Sequence, residues 1–257
     1  MKQNTQIESA IQNGYSFNTG DYFNQGLEIF KKNPGGYIGF IIVLSIISSV
    51  INMIPVVGAF INLIVNPPLT VGIAMGAHKQ ESEGSEEFGN FFNGFDHIVQ
   101  LCIANVLMLI IYLVIASPII FLLGFSVITA YFSGDINALS ETFTQVTHLG
   151  MSVLIVFFLC AFVAISLRWT NYFIVFYKYD AIDAIKTSWK LVNKNWFSHL
   201  GFILLAGLAF IGGVLALIIG IIFVVPIVYA ADYAAFSHIT GLNEKRDVID
   251  EIGEDLV

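Results

Sequence analysis

Residues 203–231 read ILLAGLAFIGGVLALIIGIIFVVPIVYAA, 29 positions without a charged side chain. A helix rises 1.5 Å per residue, so roughly 18 or more such residues cross a hydrocarbon core of about 30 Å. With its flanks the run holds two crossings, about 198–215 and 216–238, with a tight turn expected near Ile211–Gly213. A second block, Gly36 to Val65, opens the first half of the chain in the same way. Neither block alternates apolar and polar residues, which excludes a membrane β-barrel.

Composition agrees. The chain has 257 residues, of which 56% are hydrophobic and 12% charged, against about 25% charged in an ordinary soluble domain. The remaining polar residues cannot cover a soluble core built from four or more such blocks. The first 35 residues contain no apolar run after a basic start, so no cleavable signal peptide is expected and the first crossing serves as the targeting signal. The two cysteines, Cys102 and Cys160, both lie in apolar blocks and read as small buried hydrophobes.

The other crossings span about 36–53, 55–77, 98–132 and 149–167, the last with an aromatic extension to Tyr179. Residues 98–132 contain Pro118 and allow two short crossings or one long one. The basic residues decide. With one crossing there, Lys2, Lys31, Lys32, Lys79, Arg168, Lys178, Lys186, Lys190, Lys194, Lys245 and Arg246 all face one side. The opposite side receives the Asn52–Pro55 turn, a 133–147 loop and the turn within the opening quotation, without a basic residue. Cytoplasmic loops are the Lys/Arg-rich ones, so six crossings with both termini in the cytoplasm are expected. Trp169, Trp189 and Trp196 then fall at the cytoplasmic interface, where Trp concentrates.

Aligning Gly39-Phe40-Ile41 with Gly201-Phe202-Ile203 also pairs Lys32-Asn33 with Lys194-Asn195 and Gly58 with Gly220, and brings Pro67–Pro68 near Pro226. Each hairpin follows an amphipathic segment: Phe23, Leu27 and Phe30 before the first; Phe88, Phe91, Phe92 and Phe95 before the second; Ile182, Ile185, Trp189, Val192 and Trp196 before the third, opposite Lys186, Lys190 and Lys194. Such stripes suit a helix in the headgroup plane or one packed on the protein's own underside. The fold expected is therefore an all-α membrane protein: six transmembrane helices as three hairpins, each preceded by an amphipathic interfacial helix. Residues 1–20 form a polar N-terminal segment, 21–240 the membrane domain (units of about 21–78, 85–179 and 180–240), and 241–257 an acidic tail. Units one and three are parallel repeats.

The run Asp183-Ala184-Ile185-Lys186-Thr187-Ser188-Trp189-Lys190-Leu191-Val192, with Asn195-Trp196 after it, resembles the "eAlkxSwxLvkgnw" pattern of a loose superfamily of bacterial multi-pass membrane proteins of unknown function. That group includes the YciC-type inner-membrane proteins and the membrane domain fused to some glycerophosphodiester phosphodiesterases. Ile54-Pro55-Val56-Val57-Gly58 and Pro68-Leu69-Thr70-Val71-Gly72 are similar to the turn and second helix of its first hairpin, while Asn193-Lys194 stands where a glycine is usual. The resemblance implies the fold and a bacterial inner-membrane address. It implies no chemistry.

Mid-depth helix breaks point to transport sites. Pro67 and Pro68 in crossing two, with Asn62 and Asn66, and Pro226 in crossing six, with Tyr229, Asp232 and Tyr233, make a candidate polar cavity; kinks that aid packing are the plainer account. Asp232 is the one acid well inside an apolar block and is a functional candidate by position, although reaching the interface or pairing with Arg168 or Lys178 is the plainer account. His78, His97, His199 and His238 fall at cytoplasmic helix ends and are the candidate metal ligands, though without HxxxH or ExxH spacing. Trp169, Trp189, Trp196, Lys186, Lys190 and Lys194 are the expected interfacial anchors.

Net charge is −8, with acid gathered in Glu81–Glu87 and Glu244–Asp255; these stretches repel nucleic acid and anionic membrane. The expected role is that of a non-enzymatic scaffold or accessory subunit of the bacterial inner membrane, without a cofactor. Its partners would be membrane lipids and a protein partner or a second copy of the chain. A small permease with a site between helices 55–77 and 216–238 is the first alternative, and a metalloenzyme using the cytoplasmic histidines the second.

Overall fold

The computed structural model describes residues 2–84, 87–133, 150–216 and 219–243. The expected 133–147 loop and the acidic tail from residue 244 onward fall outside the described residues, apart from Ser133. All regular structure in the described chain is helical: α1 Lys2–Asn13, α2 Thr19–Lys32, α3 Pro34–Asn52, α4 Val57–Glu83, a 3-10 helix Phe88–His97, α5 Ile98–Ser133, α6 Gly150–Ser166, α7 Thr170–Tyr177, α8 Ala181–Asn193, α9 Trp196–Leu215 and α10 Ile219–Thr240. Six stretches are long and apolar enough to cross a membrane: Pro34–Asn52, Val57–Glu83, Phe88–Phe121, Gly150–Tyr177, Trp196–Leu215 and Gly220–Thr240. They are the six crossings expected, in the expected order.

Local chemistry sets the helix ends. Asn33 caps α3, its Oδ1 accepting from the Gly36 N–H at 3.0 Å, with Pro34 in the first turn where its missing N–H costs nothing. Asp180 caps α8 through the Asp183 N–H at 2.8 Å. Pro118 lies inside α5, one continuous helix of 36 residues, so this stretch does not double back as two short crossings. At 1.5 Å per residue α5 is about 54 Å long, well beyond the hydrocarbon thickness. Helix α9 runs past Gly212–Gly213 to Leu215, so these glycines are helical and do not form the expected turn.

The chain forms two compact units, residues 105–165 and the remainder. In the first, the described residues carry no charged side chain, and large apolar ones such as Phe121, Tyr131 and Phe157 are exposed, as lipid-facing residues are.

In the larger unit, α2 does not lie free in an interface. It runs antiparallel along α10: Tyr22 bonds His238 at 3.0 Å, and Phe30 packs on Phe223 at 6.2 Å between ring centroids. Between them Gly26 lets the backbones touch, since a Cβ there would sit 2.5 Å from the Ala231 nitrogen. The 3-10 helix likewise packs on α4, where a Cβ on Gly94 would meet the Pro68 carbonyl oxygen at 2.2 Å. Its Phe91 stacks on Phe40 at 4.8 Å. The α2 stripe and Phe91 thus pack on the protein itself, while Phe88 is exposed. The α8 stripe is split: Val192 is buried, whereas Ile182 and Trp189 are exposed.

Candidate functional site

The fourth membrane-spanning stretch breaks at Leu167–Trp169, between α6 and α7. A broken helix leaves backbone groups without partners, and in a membrane they must be satisfied by protein. Ser188 of α8 does this: its hydroxyl donates to the Ser166 carbonyl at 3.0 Å and accepts the Trp169 N–H at 3.3 Å. Ala184 and Ser188 are both buried, and their small side chains bring α8 close to the break. The Ser188 of the quoted motif is a splint for this break.

The break turns Arg168 and Trp169 inward. The Arg168 guanidinium pairs with the Asp232 carboxylate of α10, the side chains being 10% and 16% exposed. Asp232 Oδ1 also accepts the Trp169 indole N–H at 2.9 Å. On its other side Arg168 lies 3.2 Å from His199 Nδ1 of α9, and its guanidinium carbon sits 4.6 Å from the centre of the Phe202 ring. A guanidinium only donates, so Nδ1 is the acceptor and the neutral imidazole carries its proton on Nε2. That nitrogen is 2.7 Å from the Tyr15 hydroxyl, which in turn donates to the Leu191 carbonyl at 3.0 Å. Polarity therefore runs outward from Arg168, on one side to the Asp232 carboxylate and on the other through His199 and Tyr15 to a backbone carbonyl. Burial pushes the Tyr15 phenol above its ordinary range, against the opposing pull of Arg168, so it stays a donor.

Tyr15 arrives from the N-terminal segment. Helix α1 is held by buried Ile7 and Ala10, Phe17 packs on His199 at 4.6 Å between ring centroids, and the Asn195 amide donates to the Tyr15 carbonyl at 3.2 Å. The stretch 1–20 is polar on average, yet it closes one end of the site.

The sequence-predicted residues separate into groups. Asp232 is paired with Arg168, one of the two partners anticipated for it. Tyr233 is buried on the next position; its hydroxyl is 2.9 Å from His78 Nδ1 and 3.3 Å from Asn243 Oδ1, which joins the C-terminal parts of α4 and α10. Asn62 donates to Asn52 across the first hairpin at 2.8 Å, and Asn66 is exposed. Pro67, Pro68 and Pro226 are buried, Tyr229 is half-buried, and the Thr70 hydroxyl donates to the Pro67 carbonyl at 3.0 Å.

The histidines are not gathered at one point. His78, His199 and His238 each meet a different tyrosine hydroxyl, of Tyr233, Tyr15 and Tyr22, at 2.9, 2.7 and 3.0 Å, and His97 is half-buried at the end of the 3-10 helix. Among the described residues no three His, Cys, Asp or Glu side chains form a group able to hold a metal ion. The four-histidine centre is corrected on that ground.

Trp169 also departs from expectation. It is fully buried, its ring 4.6 Å from that of His199, and so it is a core residue. Trp189 is exposed and Trp196 half-buried; Lys186, Lys190 and Lys194 are exposed. Sequence reasoning missed Tyr15 and Ser188. The one available signal for Ser188 was its place in a recurrent motif; for Tyr15 there was none.

A family model described as Domain of unknown function (DUF7847) matches residues 91–243, more than half of the chain, and the chain belongs to that family. No curated protein and no solved structure matches the chain.

Proposed function

We propose that this member of DUF7847 is a non-enzymatic scaffold or accessory subunit of the bacterial inner membrane, holding lipid or a protein partner at its basic end, with both termini in the cytoplasm. The observation that carries this reading is the closure of the Asp232–Arg168–His199–Tyr15 relay on the Leu191 carbonyl. Its charges and donors bind α9, α10, the α6–α7 break and the N-terminal segment to each other. Intramembrane ionisable groups are functional candidates by default, and here their chemistry goes into holding helices together.

The orientation rests on the Lys and Arg residues, which are absent from residues 52–57, 134–149 and 216–218. The parallel repeat draws support from equivalent details. Asn33 and Asn195 directly precede α3 and α9; Phe40 and Phe202 are both buried. Gly58 and Gly220 each abut the preceding helix, where a Cβ would lie 2.2 Å from the Ile51 oxygen and 2.7 Å from the Gly213 Cα.

Native mass spectrometry of the untagged protein in its own lipid tests the reading, with a stoichiometric partner or oligomer as the expected result. A lone monomer would count against it. The permease is the second reading, favoured by the His78–Tyr233 contact that links the two proline-bearing helices. Solute flux in liposomes that Tyr233→Phe abolishes would place it first.

A further inference from the structure

Helix α7 ends at Lys178, which is held in a left-handed conformation with φ 56°. Tyr179 and Asp180 separate it from α8. The turn and the outer face of α8 enclose an open groove of about 520 Å³ lined by Lys178, Tyr179, Asp183, Lys186, Thr187 and Lys190, together with the capping Asp180. Positions 183, 186, 187 and 190 share one helix face.

The charges in this groove are unevenly matched. Asp180 is turned to the Asp183 backbone N–H at 2.8 Å, and Asp183 faces Lys186 at 3.6 Å. Among the described residues the ion pairs are Lys31–Glu28, Lys79–Glu83, Arg168–Asp232 and Lys186–Asp183, so Lys178 and Lys190 have no carboxylate within 4.0 Å. Lys186 and Lys190 are also like charges one turn apart, an unfavourable spacing unless an anion sits between them.

Beside the lysines, Ile182 and Trp189 are exposed at 54% and 40% on the adjoining strip of the same helix. Cations flanked by an exposed Trp and an aliphatic side chain are the pattern of a helix at the phosphate level of a bilayer.

The geometry points to this groove as the binding site for the headgroup phosphate of an anionic glycerophospholipid, with Lys178 and Lys190 as its principal cations and Trp189 against the acyl region. The inference rests on the scaffold reading and names the lipid class that its basic end holds. A zwitterionic headgroup brings its own ammonium beside the lysines and fits less well. Free inorganic phosphate satisfies the lysines but leaves Ile182 and Trp189 uncovered.

The test is native mass spectrometry of the full-length protein released from nanodiscs of phosphatidylglycerol and phosphatidylethanolamine, repeated with millimolar inorganic phosphate. Wild type should retain phosphatidylglycerol in preference to phosphatidylethanolamine. The Lys178→Gln/Lys190→Gln double variant should lose that preference by about tenfold or more, the scale that two cations at a membrane surface contribute. Lys31→Gln, which removes an exposed lysine elsewhere, should leave it unchanged. Equal retention by wild type and the double variant overturns the assignment, as does displacement of lipid by inorganic phosphate. If the double variant loses lipid yet keeps its stoichiometric partner, the lipid site stands and the scaffold reading is independent of it. If the partner persists while no preference exists in wild type, only the lipid site falls.

Discussion

The Tyr15 hydroxyl lies 2.7 Å from Nε2 of His199, a residue 184 positions away, and covers one end of a buried Arg168–Asp232 pair. The contact ties the N-terminal segment to the start of α9, and it is directional: Tyr15 accepts from the imidazole and donates to Leu191. A segment that looks like a polar leader thus completes the hydrogen bonding of a charge pair inside the helices.

Tyr15→Phe should lower stability in detergent by about 1–3 kcal/mol, because the imidazole N–H and the Leu191 carbonyl lose their partner together. The raised pKa of Tyr15 adds a pH signature. Its folded pKa lies above the unfolded one, so its contribution is complete below pH of about 10 and is lost as pH rises beyond that. Alkaline unfolding curves of wild type and Tyr15→Phe should converge; parallel curves would contradict the assignment.

Removing one member of the charge pair should cost more than removing both. Asp232→Ala or Arg168→Met strands a poorly solvated charge, with an expected loss of about 3–5 kcal/mol. The double variant Arg168→Met/Asp232→Leu should recover a large part of that. Chemical unfolding of the four proteins completes a thermodynamic cycle, and additive losses would mean that the pair is not coupled.

Ser188→Ala removes the splint across the α6–α7 break, leaving the buried Trp169 N–H and Ser166 carbonyl without the hydroxyl between them. The expected loss is about 1–3 kcal/mol. Thr187→Ala, on the exposed side of the same helix, should be nearly silent in the same thermal melt.

Gly26→Val should push α2 away from α10, since its Cβ would enter the Ala231 backbone; overpacking of this kind costs about 1–3 kcal/mol. Gly20→Ala in the same helix meets only the Asn18 side chain, at 3.7 Å, and should be tolerated or slightly stabilising. Limited proteolysis of α1 and α2 distinguishes the two, with cleavage accelerated in Gly26→Val alone.

The topology has its own test. In a background with Cys102 and Cys160 replaced by Ser, single cysteines at Lys79 and Lys190 should react with an impermeant maleimide from the same side of sealed vesicles. A cysteine at Asn52 should react from the other. Opposite labelling of positions 79 and 190 would break the six-crossing arrangement.

Sequence alone determined the number and order of the membrane helices, the hairpin pairing and the amphipathic segments before each hairpin. These follow from runs of apolar residues along the chain, and a helix satisfies its backbone within its own segment, so no distant residue is needed to predict it. It also singled out Asp232 and anticipated Arg168 as a partner, because a charge in hydrocarbon requires one.

Only the tertiary structure decided which groups surround that charge. Trp169 resembles an interfacial anchor in sequence and is a buried donor to Asp232 in space; the four histidines look like one cluster, yet His78, His199 and His238 each meet a different tyrosine. Residues 1–20 hold few apolar side chains, so nothing in their composition marks Ile7, Ala10, Tyr15 and Phe17 as packed. The reason is physical: a hydropathy pattern reports how a helix partitions between water and lipid, whereas the partner of a buried hydroxyl or imidazole depends on how the helix backbones cross, which no local pattern encodes.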